Sequence, residues 1–231
     1  MMDFSLPVLI ALLLWGTLVG LDLVSVPQGM IARPLVAGSV AGWLVGDIEA
    51  GLRIGVVLEL FALDVLPVGA VRYPDYGPAT VVAVALGADA LGANTPWAER
   101  LGFSVALGLV LAVAGEWSLQ VVRRWNARAI QRRAAALAAG ESRAIRKLQY
   151  GGLLRDGLRG FTLTFLGMVI ASAMKEMLHL DRQLAVALTL VAIGSALAAA
   201  VNGAFRSSGR TARLKWLAAG VGVGIILAVV A

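Results

Sequence analysis

Apolar residues run through this chain in blocks rather than at the strand or surface-helix period, and polar residues fall mostly between the blocks. A helix needs about 20 mostly apolar residues to cross the hydrocarbon core of a bilayer. Leu6–Val26 meets that length, interrupted by Asp22. Pro34–Gly46 is apolar but only thirteen residues long, so it predicts a broken or re-entrant helix. Gly51–Ala70 is long enough yet carries Arg53, Glu59 and Asp64. Tyr73–Pro78 reads as a turn with two prolines, and Ala79–Ala93 is again short and holds Asp89. Leu101–Val122, Leu158–Met177 and Leu184–Val201 read as conventional spans, the last two joined by a turn at Leu178–Gln183. A final apolar segment occupies Trp216–Ala231.

Composition agrees with this pattern. Of 231 residues, 59% are hydrophobic and 15% charged, and the mean hydropathy is +0.84. A soluble domain is about 45–50% apolar and about 25% charged, so a soluble enzyme and a disordered chain are both excluded. Cysteine is absent and histidine occurs once, which removes disulfides, thiolate zinc sites and multi-histidine centres. The N-terminal stretch lacks a basic n-region and is long for a signal h-region, so it is expected to be a retained span. The expected fold is an all-α polytopic membrane protein forming one transport domain over 1–231, with broken or re-entrant helices in the N-terminal half.

Charge refines the topology. Residues 1–122 hold four basic and ten acidic side chains, residues 123–231 sixteen basic and four acidic. Ten of the basic residues lie between Arg123 and Arg159. Basic residues beside apolar spans mark the cytoplasmic side and favour anionic lipid over nucleic acid. Arg123–Gln149 is accordingly read as an amphipathic cytoplasmic connector, and Arg206–Lys215 as a second loop on the same side.

Candidate chemistry concentrates where the spans are broken, because unwound backbone at membrane depth must line a cavity or be buried in protein. An Asp or Arg at mid-span costs about 2.5–3.5 kcal/mol on insertion scales, so Gly51–Ala70 needs water, a partner or a ligand for its charges. Glu59 is the most deeply placed acid: it either pairs with a base or holds a ligand. Arg53, six residues earlier, lies on the opposite face of an ideal helix, so a pairing requires a break or another segment. Asp75 sits on a rigid turn between Tyr73 and Tyr76, where an acid beside an aromatic face suits a sugar or simply caps the turn. Asp22, Gln28 and Asp47 are further polar candidates, and Asp47 can cap the next helix. His179 is expected at an interface. Glycines four apart at Gly16/Gly20, Gly38/Gly42/Gly46, Gly51/Gly55 and Gly220/Gly224 are expected to pack helices closely. No nucleophile, base and metal can be assigned together, so no enzymatic activity, cofactor or metal is expected.

The ordered set Arg33-Pro34-Leu35-Val36-Ala37-Gly38, Leu44-Val45-Gly46-Asp47, Gly51-Leu52-Arg53-Ile54-Gly55-Val56-Val57-Leu58-Glu59-Leu60, Val68-Gly69-Ala70 and Pro74-Asp75 resembles the enzyme IIC component of the mannose–fructose–sorbose group of bacterial phosphotransferase systems. The resemblance covers about residues 33–80. It implies a multi-pass sugar permease of the bacterial inner membrane, oligomeric, working with a IID membrane subunit and with IIA and IIB phosphocarriers. It further implies that sugar, a hexose in the usual case, is carried by an elevator-like movement and phosphorylated by IIB. Carried onto this chain, Glu59 and Asp75 become candidate sugar ligands, beside Gln28 and Asp47 as candidates read from the residues themselves, while Arg33, Pro34 and Asp47 shape the broken helices. Arg33, Pro34, Gly46, Gly51, Gly55, Gly69 and Pro74 are then the structural motif positions. Ala32 and Arg72 depart from the family pattern. A non-transporting membrane scaffold and a stand-alone ion-coupled permease stay open beside this reading.

Overall fold

The computed structural model describes residues 4–65, 71–89, 96–177 and 182–204, and all regular structure in them is helical. The elements are α1 (Leu6–Asp22), α2 (Pro34–Val45), α3 (Ile48–Ala62), α4 (Tyr76–Asp89), α5 (Trp97–Gln131), α6 (Ala134–Ala138), α7 (Ser142–Met177) and α8 (Arg182–Ala204). By length and composition α5, α7 and α8 can each cross a membrane, while α1, α2 and α4 are shorter apolar helices. Gly69, His179, the basic loop Arg206–Lys215, Gly220/Gly224 and the segment Trp216–Ala231 lie outside the described residues.

α2 and α3 form a hairpin of half-length helices. Pro34 opens α2 at its first turn, where a missing N–H costs nothing. Gly46 ends it in the left-handed region (φ 81°), and the Asp47 N–H bonds back to the Gly42 carbonyl at 2.9 Å. Asp47 then caps α3, its side chain accepting from the Ala50 N–H at 2.9 Å. Chain reversal therefore takes two residues. At 12 and 15 residues the two helices span about 18 and 22 Å, well short of the roughly 30 Å hydrocarbon core. Their backbones touch: a Cβ on Gly42 would lie 2.8 Å from the Gly51 Cα, and one on Gly55 2.9 Å from the Pro34 carbonyl oxygen. Close packing is what the four-residue glycine spacing serves here.

The hairpin packs on α4, the centre of the molecule. Every residue from Asp75 to Gly87 is buried, as suits a helix apolar on all sides. It is enclosed by α1, α2, α3, α5 and α7. α1 also lies along α7, where Gly20 and Gly160 meet; a Cβ on Gly20 would stand 2.9 Å from the Gly160 Cα.

The turn read at Tyr73–Pro78 is helical from Tyr76 on, with Pro78 in the first turn of α4 where its missing N–H is tolerated. Other boundaries also differ from the sequence pattern. α1 stops at Asp22 instead of Val26, because Asp22 turns its carboxylate onto the loop that follows. α3 begins at Ile48, since Asp47 supplies the cap, and ends at Ala62. α5 continues unbroken through Val122 to Gln131, about 52 Å in 35 residues. The segment 123–149 is thus divided among the end of α5, the short α6 and the start of α7, with Gly140 (φ 70°) in the turn before α7. Ala and Arg are strong helix formers, and nothing in the sequence of Arg123–Gln131 interrupts the span before it.

Candidate functional site

The acids of the N-terminal half meet partners supplied by distant segments. Arg33, just before α2, reaches Glu59 on α3; its Nε donates to Glu59 Oε1 at 2.7 Å and its Nη2 also pairs with that oxygen. The other carboxylate oxygen accepts from the Leu35 N–H at 3.2 Å, satisfying an open donor of α2's first turn. Glu59 therefore fastens the open end of the hairpin. Its base comes from another segment, while Arg53 pairs with Glu49 one turn earlier and stacks on Trp97.

Asp75 is fully buried and shares one guanidinium with Asp156. Arg159 on α7 pairs through Nη1 with Asp75, through Nε with Asp156 at 2.8 Å, and through Nη2 with the Gly20 carbonyl at 2.8 Å. Three segments, α1, α7 and the entry to α4, are tied at this point. The Asp75 N–H donates to the Ala112 carbonyl of α5 at 2.9 Å, adding a fourth. A buried carboxylate without a partner would be expelled or protonated, so Arg159 is what allows Asp75 and Asp156 to sit where they do.

Asp22 shapes the loop after α1. Its two oxygens accept from the Gly29 N–H at 2.6 Å and the Ala32 N–H at 2.9 Å. Within that closed loop Gln28 and Met30 take positive φ values of 58° and 62°. Each costs about 1–2 kcal/mol for a non-glycine residue, and such strain gathers where a side chain is aimed for function.

Behind the loop lies a cavity of about 430 Å³, within the usual range for small-ligand pockets. Its polar wall consists of Ser25, Gln28, Tyr73, Arg123, Asn126 and Asp156, and Leu23, Val24, Val71, Leu119 and Val122 supply the apolar part. Ser25 donates to Asp156 at 2.6 Å across it. Tyr73, close to Arg33, Glu59 and Asp75, joins the cavity to both ion-pair clusters. A site built this way offers donors and acceptors on one side and an aromatic ring and aliphatic surface on the other.

Of the four candidate ligands, Gln28 alone lines this cavity. Asp75 stands behind the wall, connected to Asp156 through Arg159. Glu59 is reached through Tyr73 and keeps a partly exposed carboxylate (19%). Asp47 is at the far end of the hairpin, 3.5 Å from Arg100, beside a recess of about 30 Å³. Among the motif positions, Arg33, Pro34, Gly46, Gly51 and Gly55 lie in the hairpin, at its ends and along its helix contact, and Pro74 precedes Asp75 in the extended entry to α4. Ser25, Tyr73, Asn126, Asp156 and Arg159 were not foreseen as site residues. A signal for two of them existed: Arg159 lies inside an apolar span, and Asp156 three residues earlier is the nearest acid to it in the sequence.

Fold and site together define a polytopic helical membrane protein with a short-helix hairpin, a buried central helix and a polar cavity beside a strained loop. The chain belongs to the sorbose-specific IIC component family of phosphotransferase systems, whose family model matches residues 7–203. It is 29% identical over 151 residues to the fructose permease IIC component of Bacillus subtilis (strain 168), covering 65% of this chain and 53% of that one. It is 32% identical over 91 residues to the mannose-specific EIIC component of Escherichia coli (strain K12), covering 39% and 32% respectively. The aligned stretch thus spans about half or less of these relatives' length. The fold matches a solved membrane protein with a TM-score of 0.74, and the mannose transporter ManYZ in complex with microcin E492 with 0.62. Each of these is 20% identical and covers 99% of this chain and 94% of the other.

Proposed function

We propose that this chain is the sugar-translocating membrane subunit of a phosphotransferase complex. Membership of the IIC family supports the class, and the cavity at Gln28 carries the assignment of the site. A sugar presents hydroxyls that donate and accept, and C–H faces that stack on aromatic rings. Gln28, Tyr73, Asn126 and the remaining lone pairs of Asp156 provide the first, and the Tyr73 ring and Leu119 the second. Glu59 and Asp75 act from behind: Glu59 sets the hairpin against Tyr73, and Asp75 holds Arg159 and through it Asp156. Asp47 serves the hairpin turn.

The cavity lies along α5 at Leu119 to Asn126, where the basic run begins. By the positive-inside rule it faces the cytoplasm in this conformation. In this reading the protein resides in the bacterial inner membrane as part of an oligomer. The relatives' names support a sugar of the mannose, fructose or sorbose kind, and the ManYZ complex supports a IID membrane partner. In this reading phosphoryl transfer falls to IIA and IIB subunits, as the sequence holds no Cys and a single His for a phosphoryl relay.

Equilibrium dialysis of the purified chain against radiolabelled mannose, fructose and sorbose tests the site. Gln28→Ala is expected to weaken binding of the sugar that binds best by about tenfold, the loss of one or two good hydrogen bonds. Failure of all three sugars to bind, or binding unchanged by Gln28→Ala, overturns the assignment. A stand-alone ion-coupled permease instead predicts uptake that follows an ion gradient and ignores phosphoenolpyruvate.

A further inference from the structure

Beside the cavity at Gln28 lies a second one of about 320 Å³, lined by Ser25, Val26, Asn126, Ile130, Leu148, Gln149, Gly152, Leu153 and Arg155. Ser25 and Asn126 belong to the walls of both. The Arg155 guanidinium is held by a neutral group, donating through Nη1 to Asn126 Oδ1 at 2.9 Å. Gly151, one turn earlier, lies beside it; a Cβ there would stand 3.6 Å from Nη1 and Nη2. Arg123, one turn before Asn126 on α5, lines the first cavity. Among the described residues it has neither ion pair nor hydrogen bond, and Arg155 has no carboxylate partner. The neighbouring acid is already engaged: Asp156 is bonded to Ser25 and Arg159. Two half-buried guanidiniums that form no ion pair among the described residues therefore flank Asn126 where the cavities adjoin.

We propose that Arg155 and Arg123 form a site for a phosphate ester carried on a polyol, the polyol lying toward Gln28 and the phosphate between the two arginines. Guanidinium forks match phosphate oxygens and bind them with charge-assisted hydrogen bonds about twice as strong as neutral ones. The polar wall at Gln28 and Tyr73 fits the hydroxyl-bearing part. Two sources carry this chemistry, a soluble sugar phosphate and the headgroup of phosphatidylglycerol. The proposal rests on the reading of the Gln28 cavity as a polyol site.

The full chain, in nanodiscs of phosphatidylcholine, is titrated calorimetrically with mannose 6-phosphate and fructose 6-phosphate, with inorganic phosphate, and with the neutral sugars. Arg155→Gln is expected to weaken the phosphates by about tenfold and leave neutral mannose and fructose within about twofold, with Arg155→Lys recovering part of the loss. Arg123→Gln weakens the phosphates to a similar degree. Unchanged phosphate binding in both glutamine variants overturns the proposal, and so does equal loss of phosphates and neutral sugars in Arg155→Gln. If Gln28→Ala still weakens the neutral sugars in that case, the sugar reading stands while the phosphate site falls. Loss of phosphates in Arg155→Gln with neutral sugars indifferent to Gln28→Ala upholds the arginine site and removes the sugar reading. Addition of phosphatidylglycerol separates the sources: retained sugar-phosphate binding assigns the site to the soluble ester, and competitive displacement assigns it to the lipid headgroup.

Discussion

α4 and α8 are written in nearly the same alphabet, Ala, Val, Leu, Gly and Thr, yet they live in opposite surroundings. α4 is enclosed on all sides from Asp75 to Gly87. α8 buries a seam of small residues, Ala185, Thr189, Ala192 and Ala196, and turns Leu190, Val191 and Leu197 outward. Its hold on the rest includes one hydroxyl placed in the α5 backbone: Thr189 Oγ1 accepts from the Gly102 N–H at 2.8 Å and donates to the Ala98 carbonyl at 2.5 Å. The same contrast separates the two halves of the molecule. α1 to α4 are short and fixed by charges reaching between segments, whereas α5, α7 and α8 are long helices with apolar outer faces that suit lipid. A helix that spans satisfies its own backbone; one that stops within the membrane exposes backbone groups that side chains must meet. Asp22, Asp47 and Glu59 each accept from backbone N–H groups at such breaks.

Substitutions that remove a charge from the interior should show the contrast most strongly. Arg159→Met leaves Asp75 and Asp156 buried without their cation, and is expected to cost about 3–5 kcal/mol. Loss of the monodisperse peak in detergent and a large drop in the thermal midpoint check this. Packing comes next: Leu86→Ala, at the enclosed end of α4, should cost about 3 kcal/mol by thermal unfolding. In the hairpin, Gly51→Val places a branched side chain where Gly38 and Gly42 press on the backbone. Overpacking of that kind costs about 1–3 kcal/mol, and cysteine cross-linking across α2 and α3 would show the helices moved apart. Asp22→Asn keeps one acceptor of two and should cost about 1 kcal/mol of stability. Its clearer readout is faster proteolysis or hydrogen exchange in 23–32, together with weaker sugar binding as Gln28 loses its placement. Leu190→Ala, on the outward face of α8, is expected to stay within about 0.5 kcal/mol. A large effect there would mean that this face is covered by protein rather than lipid.

Much of this arrangement was legible in the chain. The break at Arg33-Pro34, the short length of Pro34–Gly46, the capping role of Asp47 and the use of four-spaced glycines all follow from local rules. The need of Glu59 for a partner follows from the cost of a charge among apolar residues, and the six-residue spacing on an ideal helix already sets Arg53 on the opposite face. Asp75 was misleading by itself. Its turn with two tyrosines looks like a surface for a ligand, but its partner is 84 residues away on α7. The cavity was nearly invisible, because its polar wall draws six residues from four separate places in the chain. Ser25 and Asn126 are ordinary polar side chains in their own neighbourhoods, and only packing brings them to one surface.

The sequence by itself determined that this protein is helical and membrane-bound, where its helices break, and which half carries the basic charge. Those properties are local: hydrocarbon thickness, helix rise, capping chemistry and the cost of a lone charge act on stretches of about 20 residues. Tertiary structure decided which base answers which acid, which apolar helix is enclosed, and where the cavity opens. Coulomb attraction and van der Waals contact have no preference for sequence distance, so the partners of Asp75 and Glu59 are fixed when the helices pack.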